Sequence, residues 1–363
     1  MKIADLLNLS VERGASDLHL TAGLPPLVRI DGEICPLFDE PVVGLAGSGE
    51  RIGQQKVLAL LHEVMHDAQR REFEDRLETD FSYELSGVAR FRVNAFHQNR
   101  GAAAVFRTIP PKVKTMEALG LGPIFKTIAE APRGLVIVSG PTGSGKTTTL
   151  AALIDYLNET KRQHILTIED PIEFVHESKR CLINQREVKR DTQSFSDALR
   201  SALREDPDII LVGELRDLET IRLALTAAET GHLVFATLHT ASAAKTIDRM
   251  VDIFPAGEKD MVRSMLSESL QAVLSQVLLR KKGGGRVAAF EVMRGTAAIR
   301  NLIREDKVAQ MYSTIQTGAS QGMVTLDQSL KNLVDQGLVH ADVARAKAKS
   351  PENFEGVLIS SRY

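Results

Sequence analysis

Residues 135–147 read LVIVSGPTGSGKT, an apolar run followed by a glycine-rich turn that ends in Lys146 and Thr147. The last eight of them, 140–147, match the pattern G-x-x-x-x-G-K-[S/T] at every defined position. A short unbroken apolar run predicts a strand buried on both faces of an α/β sheet. The residues after the turn, TTTLAALIDYLN, predict a helix. The stretch therefore predicts a strand, a phosphate-binding loop and a helix in that order.

The glycine-rich turn has the chemistry of a phosphate site. Glycine permits positive φ angles, so backbone N–H groups can close around phosphate oxygens, and the following helix adds the positive end of its dipole. We expect Lys146 to reach the β- and γ-phosphates and the Thr147 hydroxyl to ligate Mg²⁺. The alternative is a glycine-rich turn without a ligand. The candidate nucleotide-binding residues are Gly140, Pro141, Thr142, Gly143, Ser144, Gly145, Lys146, Thr147 and Thr148.

A second apolar strand, 209–212, is followed by the acid Glu214. The carboxyl ends of strands in α/β sheets are where ligands bind. Gly213 stands where P-loop ATPases usually carry a metal-side aspartate, so we assign to Glu214 the role of polarising the attacking water. The alternative is a surface carboxylate that caps the next helix. No guanine-binding segment of the form Asn/Thr-Lys-x-Asp lies in a suitable place, which favours ATP over GTP.

Two more predicted strands are flanked by polar residues. Glu169 follows strand 165–168 and is a candidate to orient Mg²⁺ or the water; the alternative is an exposed turn acid before a proline. Strand 233–238 has His232 before it and His239 after it. We expect His239 to face the nucleotide. For His232, nucleotide sensing, a subunit contact and a purely structural role stay open.

Composition and charge exclude several classes of protein. The chain has 363 residues, which at about 150 residues per domain indicates two domains, or three. Its 45 Lys and Arg against 47 Asp and Glu give a net charge of −2, so no nucleic-acid partner is expected. Two cysteines, Cys35 and Cys181, cannot form a four-thiolate zinc site and fit a reduced, cytosolic setting. No apolar run approaches the ~18 residues that span a bilayer, so no direct membrane insertion is expected.

The hydrophobic pattern changes near residues 109–114, where Pro110 and Pro111 predict a linker. Before it, helices over 2–13 and 54–74 beside strands over 16–20, 27–30, 79–85, 89–97 and 102–108 predict an α+β domain, 1–108. After it, buried strands alternate with helices, which predicts an α/β domain over 115–363. Beyond about residue 257 the chain is predicted to be mostly helical, with one strand over 287–292.

The four blocks around Lys146, Glu169, Glu214 and His239, in this order, resemble the secretion ATPases of type II secretion and type IV pili. In that family they are called Walker A, Asp box, Walker B and His box. Further stretches resemble the pilus retraction branch of the family. They are ASDLH at 15–19, RFRVNAF at 90–96, NRG at 99–101, VFRTIP at 105–110 and AIRNLIRE at 298–305. The departures are Ala297, where that branch has proline, and the glycine-rich stretch 41–53.

The resemblance implies a fold and an assembly. The fold is a RecA-like P-loop ATPase domain preceded by a smaller, PAS-like α+β domain, and the assembly is a homo-hexameric ring. The resemblance also implies that Arg92 and Arg107 reach the nucleotide, where a planar guanidinium stabilises charge on the transferring phosphoryl group. The alternative for both is a surface arginine on an exposed sheet face.

The stretch 298–305 is a candidate retraction motif by the same resemblance. Its apolar residues fall on one helical face and its two arginines on another, so the alternative is an amphipathic helix that packs on the core. The motif residues are Ala298, Ile299, Arg300, Asn301, Leu302, Ile303, Arg304 and Glu305.

The function implied by the resemblance is ATP hydrolysis, with Mg²⁺, that powers type IV pilus disassembly and twitching motility. The implied partners are an inner-membrane pilus platform protein and a paralogous retraction ATPase, and the implied location is cytoplasmic, at the inner membrane beneath the pilus. Two alternatives stay open. Assembly ATPases of pili or type II secretion usually carry a four-cysteine zinc insertion and a longer N-terminal extension, which this chain lacks. The other alternative is an accessory retraction subunit with low turnover.

Overall fold

The computed structural model describes residues 1–30, 32–38, 50–109 and 112–354, and the chain divides into two units. The first unit comprises residues 1–112 together with 171–174, and the second comprises 113–170 and the residues from 175 onward. Pro110 and Pro111 of the predicted linker, and residues 41–49 of the glycine-rich stretch, lie outside the described residues. The predicted domain boundaries therefore stay a prediction.

Within its described residues, the first unit has three helices and an antiparallel sheet. The sheet order is β3-β2-β1-β6-β5-β4. Alternate residues of its longest strand, 89–98, are buried, because one face of the sheet packs against a core that includes Leu6, Leu60 and Phe106. The elements are α1 (Ile3–Glu12), β1 (Asp17–Thr21), β2 (Leu27–Ile30), β3 (Glu33–Pro36), α2 (Gln54–His62), α3 (Asp67–Arg76), β4 (Glu78–Leu85), β5 (Ala89–Gln98) and β6 (Gly101–Ile109).

The single helix predicted over 54–74 is wrong, because two helices, α2 and α3, occupy this stretch. The chain leaves the helical conformation at His66, which is extended with φ −83° and ψ 169°. The His66 backbone N–H donates to the Gln69 side chain at 3.0 Å and so begins a new helix. Val64 and Met65 turn inward between the helices and are buried.

The second unit is a seven-stranded sheet with helices on both faces. The sheet order is β13-β12-β7-β11-β10-β8-β9, and all neighbours are parallel except β12 and β13. The elements are α4 (Pro123–Ala129), β7 (Gly134–Ser139), α5 (Lys146–Thr160), β8 (His164–Glu169), β9 (Leu182–Glu187), α6 (Phe195–Ala202), β10 (Ile209–Val212), α7 (Leu218–Glu229), β11 (Leu233–Leu238), α8 (Ala243–Asp252), α9 (Lys259–Ser269), β12 (Leu270–Arg280), β13 (Arg286–Arg294), α10 (Ala297–Arg304), α11 (Met311–Thr317), α12 (Leu326–Asp335) and α13 (Ala341–Arg345).

The central strands are covered on both faces, as their unbroken apolar sequence predicted. In β7, Leu135 and Ile137 belong to one hydrophobic cluster, while Val136 and Val138 belong to another on the opposite face. The predicted strands at β7, β8, β10 and β11 are confirmed within a residue at each end. The α/β class of this part of the chain is confirmed as well.

The prediction of a mostly helical end after residue 257 is wrong for β12, an 11-residue strand. Leu270, Val273, Leu274 and Val277 recur at the three- and four-residue spacing of a helix, although the segment is extended. The strand lies between β7 and β13 and is buried along most of its length. A strand buried on both faces has no polar alternation to distinguish it from a buried helix.

No helix among the described residues is long and apolar enough to cross a membrane.

Candidate nucleotide site

The loop that joins β7 to α5 is tight and rests on β12. Gly143 and Gly145 have φ angles of +77° and +90°, which side chains with a Cβ rarely adopt. Gly140 has no space for a side chain, because a Cβ there would lie 2.4 Å from the Gln276 carbonyl oxygen. The glycines of the motif are thus required by the loop's own geometry, independently of any ligand.

Lys146 is the first residue of α5 and is buried. Its Nζ donates to the Gly140 carbonyl at 2.9 Å and to the Pro141 carbonyl at 3.3 Å, both within the loop. It also lies 3.3 Å from Nδ1 of His239, at the end of β11. The ammonium is therefore held at the mouth of the loop, where the predicted phosphates would bind.

His239 joins Lys146 to Glu214. Its Nε2 lies 3.3 Å from Oε1 of Glu214. Since an ammonium can only donate, Nδ1 of His239 accepts from Lys146, and the ring proton is then on Nε2, facing the carboxylate. The two contacts together connect the loop to the predicted catalytic acid through His239.

Glu214 is held on its other oxygen by Arg216. The Arg216 Nε donates to Oε2 of Glu214 at 2.8 Å, and its Nη1 lies 3.3 Å from Oδ2 of Asp170. Burial alone would lower the pKa of Arg216, but its bonds to Glu214 and its interaction with Asp170 raise that pKa above its usual value. Arg216 thus stays charged and fixes the direction of the Glu214 carboxylate.

A cavity of about 280 Å³ lies beside these groups. Arg216, Asp170 and Arg249 take part in or line this site but were not predicted, since nothing in their sequence spacing marks them. The residues that line the cavity are Glu214, Leu215, Arg216, Leu238, His239, Thr240 and Arg249.

Gly213 lies close to the end of β8, where the fold leaves little room for a side chain. Its backbone N–H donates to the Ile168 carbonyl at 2.8 Å, which continues the pairing of β10 with β8. A Cβ at Gly213 would lie 3.1 Å from that same carbonyl oxygen and 3.3 Å from the Cα of Glu169. A side chain at this position would require the end of β8 to shift by a few tenths of an ångström.

Glu169 ends β8 and is buried. Its Oε1 accepts from the Thr167 hydroxyl at 2.7 Å and from the Gln185 amide at 3.1 Å. The carboxylate lies at the same edge of the sheet as Glu214, because β8 and β10 are parallel neighbours. The alternative of an exposed turn acid does not describe it, and its predicted role toward Mg²⁺ or water stays a prediction.

His232 lies at the opposite edge of the sheet from His239, since it precedes β11. Its Nδ1 lies 3.0 Å from the Ala227 carbonyl at the end of α7. The structure does not bring His232 together with Lys146 or Glu214. Within one chain His232 is therefore too far from the loop to sense a nucleotide bound there. Its predicted role in a subunit contact stays a prediction.

Arg92 and Arg107 face each other across β5 and β6, as their predicted positions on flanking strands suggested. The Arg107 Nε donates to Oδ1 of Asp17 at 2.9 Å, and Arg92 lies 3.9 Å from Oε1 of Glu173. Both belong to the first unit. Their approach to the nucleotide stays a prediction.

The candidate retraction motif forms α10 and the residue that follows it. Ile299 and Ile303 are buried in the core, as the amphipathic pattern predicted. Arg300 donates to the carbonyls of Gly295 at 2.7 Å, Glu268 at 2.6 Å and Leu270 at 3.1 Å. This arginine therefore binds the carboxyl end of α9, where helix carbonyls otherwise lack partners.

The site also suits the predicted Mg²⁺. Within the described ranges no group of three or more His, Cys, Asp or Glu side chains could hold a metal ion by itself. Mg²⁺ bound with nucleotides takes few protein ligands and relies on phosphate oxygens and water. The Thr147 hydroxyl, in the first turn of α5 beside Lys146, fits that requirement.

Residues 49–345 match the family model described as "Type II/IV secretion system protein". The chain belongs to this family. Over 354 residues it is 69% identical to a Pseudomonas aeruginosa protein named "Type IV pilus retractation ATPase PilT", with 98% of this chain and 100% of the relative aligned. It is 58% identical to a Neisseria gonorrhoeae "Twitching motility protein" over 335 residues, with 91% and 90% aligned.

The fold agrees with a solved member of the family. A crystal structure of the pilus retraction motor PilT with bound ADP superposes with a TM-score of 0.87 at 48% identity, covering 97% of this chain and 98% of that one. These findings confirm the predicted resemblance, the fold class and the assignment of the chain as an ATPase.

Proposed function

We propose that this chain is an ATP-hydrolysing motor that powers the disassembly of type IV pili and thereby twitching motility. The observation that carries the proposal is the contact series from Lys146 through His239 to Glu214, which joins the phosphate-binding loop to a carboxylate. The two relatives named for pilus retraction and twitching motility align along nearly their whole lengths, which supports retraction as the work that is done.

In the proposed reaction the loop binds the phosphates of ATP through its backbone N–H groups and Lys146. Glu214 accepts a proton from the attacking water, or polarises it, because its carboxylate is oriented by Arg216 on one oxygen and His239 on the other. Bound Mg²⁺, held by Thr147 and the phosphates, would neutralise charge on the phosphate oxygens. Glu169 completes the acidic edge of the sheet.

The proposal includes an assembly and a motion. Six copies form a ring, and Arg92 and Arg107 stabilise the charge that develops on the transferred phosphoryl group. ATP binding closes the two domains about the linker 109–114, and product release reopens them. The ring acts at the cytoplasmic face of the inner membrane on a pilus platform protein, and a paralogous retraction ATPase is its second partner.

The test is the phenotype of a strain that carries Lys146→Ala. Loss of the ammonium removes the charge that binds the β- and γ-phosphates, so we expect surface pili to accumulate while twitching motility is lost. Electron microscopy of pili and a surface motility assay measure both. Bald cells would contradict the proposal and identify an assembly ATPase. Normal motility together with negligible phosphate release by the purified wild-type protein would identify an accessory subunit instead.

A further inference from the structure

Gln276, in the middle of β12, lies directly beneath the phosphate-binding loop. The residue is 1% exposed, in a strand whose neighbours Val273 and Leu274 are fully buried and apolar. Its Nε2 donates to the Ser144 carbonyl at 2.6 Å. Its own backbone carbonyl is the group that leaves no space for a side chain at Gly140. The loop thus rests on Gln276 at two points, one on its main chain and one on its side chain.

The bond to the Ser144 carbonyl determines where the next N–H group points. A peptide unit is planar and trans, so the carbonyl of Ser144 and the N–H of Gly145 point in opposite directions. Because the carbonyl points toward β12, the Gly145 N–H points away from β12, toward the open side of the loop. In loops of this pattern, that side is where phosphate oxygens are bound.

Because residue 145 is a glycine, the peptide between Ser144 and Gly145 needs a hydrogen-bond donor from outside the loop to keep this orientation. Gly145 has φ +90°, and a residue without a Cβ can rotate between several backbone conformations at little cost. In the reversed orientation the carbonyl of Ser144 would point at the phosphates and repel them. A hydrogen-bond donor beneath the carbonyl opposes that rotation.

We propose that Gln276 is a positioning residue for ATP hydrolysis, which holds the peptide between Ser144 and Gly145 so that the Gly145 N–H faces the nucleotide phosphates. This role depends on nucleotide binding by the loop and is independent of the direction in which the pilus moves.

The burial of Gln276 argues against a packing role alone. Among the described residues, Oε1 of Gln276 and the Ser144 hydroxyl are buried without a hydrogen-bond partner. An unpaired buried polar atom is destabilising by about 1–3 kcal/mol. A methionine of similar length would fill the same space without that penalty. The amide is therefore explained by its Nε2 bond to the loop.

The test replaces Gln276 by methionine and measures nucleotide affinity by calorimetry. We expect the Kd for ADP to rise on the order of tenfold, since one charge-assisted hydrogen bond to phosphate is lost. The Kd for AMP should change much less, because AMP lacks the β-phosphate that the loop surrounds. KM for ATP should rise with that Kd.

Gln271→Met is the matched control. Gln271 lies on the same strand, and its Nε2 donates to the carbonyl of Arg133 at 2.8 Å, at the other edge of the sheet. We expect this variant to lose some thermal stability and to bind ADP like the wild type. Equal ADP affinity of Gln276→Met and wild type, with only a lower melting temperature, would overturn the proposal.

If Gln276→Met does not fold, a second variant and a crystal structure test the same role. Gln276→Asn retains the amide but is one methylene shorter, so it should also weaken ADP binding relative to AMP. In a crystal structure of the wild-type protein with ADP, we expect the Gly145 N–H to donate to a phosphate oxygen while Nε2 of Gln276 still contacts the Ser144 carbonyl. A Ser144 carbonyl turned away from Gln276 in that complex would refute the role.

Discussion

At the scale of single residues, the site is organised by hydrogen bonds that leave each group few alternatives. Lys146 can only donate and the Glu214 carboxylate can only accept, so the imidazole of His239 between them must accept on Nδ1 and donate on Nε2. Arg216 fixes the second oxygen of Glu214. The carboxylate that we propose to act on water is therefore oriented from two sides by residues of this chain.

The first prediction at this scale concerns Glu214→Gln. The amide has the size of the carboxylate but cannot take a proton from water, so steady-state phosphate release should fall by about a hundredfold or more. ATP should still bind, since the loop is unchanged. Phosphate release and ATP binding by the purified protein measure the two effects. Glu229→Gln, at an exposed position at the end of α7, is the control. Near-normal hydrolysis by Glu214→Gln would remove Glu214 from the mechanism.

At the scale of secondary-structure elements, the junction between α9 and α10 shows how one side chain can hold two elements. Arg300 of α10 donates to three carbonyls at the carboxyl end of α9 and the turn before α10. The turn is tight, because a Cβ at Gly295 would lie 1.9 Å from the Leu270 carbonyl oxygen. Arg304, on the same helix face, has longer contacts of 3.4 Å, and its side chain is 43% exposed.

These contacts predict different outcomes for the two arginines of the candidate retraction motif. Arg300→Ala should lower the free energy of unfolding by about 2–3 kcal/mol, because it leaves carbonyls at a helix end without their charged donor. Arg304→Ala should lower it by less than about 0.5 kcal/mol, as exposed ion pairs contribute little. Urea denaturation measures both. Equal stability of the two variants would contradict the structural role of Arg300. If Arg304→Ala keeps its stability but loses retraction, the function of the motif in the motor depends on the exposed Arg304 side chain.

At the scale of the whole molecule, each unit has its own hydrophobic core. The cluster in the first unit draws its buried residues from positions 3–106, and the clusters of the second unit draw theirs from positions 116–354. The loop, Glu214 and His239 all belong to the second unit, whereas Arg92 and Arg107 belong to the first. Separate cores of this kind allow the units to unfold in separate steps.

Calorimetry should therefore resolve two unfolding transitions that respond differently to ligands. A ligand stabilises the unit that binds it, so ADP should raise the melting temperature of the second unit only. With ATP bound to Glu214→Gln, both transitions should rise if the arginines of the first unit reach the γ-phosphate. The Arg92→Ala, Arg107→Ala double variant in the Glu214→Gln background is the control and should return the first transition to its ligand-free value. A single transition under all conditions would contradict independent units.

The local stretches that carry chemistry could be predicted from the sequence because their signals are local. A buried strand, a glycine turn and a helix follow one another around Lys146, and apolar strands of four to six residues precede Glu169, Glu214 and His239. Their places at the carboxyl ends of predicted strands of an α/β sheet also favoured a ligand site there. Periodicity did not predict β12, since its apolar residues repeat at helical spacing.

The sequence by itself determined the phosphate-binding loop, the positions of the central strands along the chain and the family to which the chain belongs, because glycine geometry and apolar runs act on neighbours in the chain. Tertiary structure alone decided which groups hold that loop and its acid in place. Gln276 lies 132 residues from Ser144, and Lys146 lies 93 residues from His239. Contacts at such separations depend on which strands become neighbours in the sheet, and no local pattern records that choice.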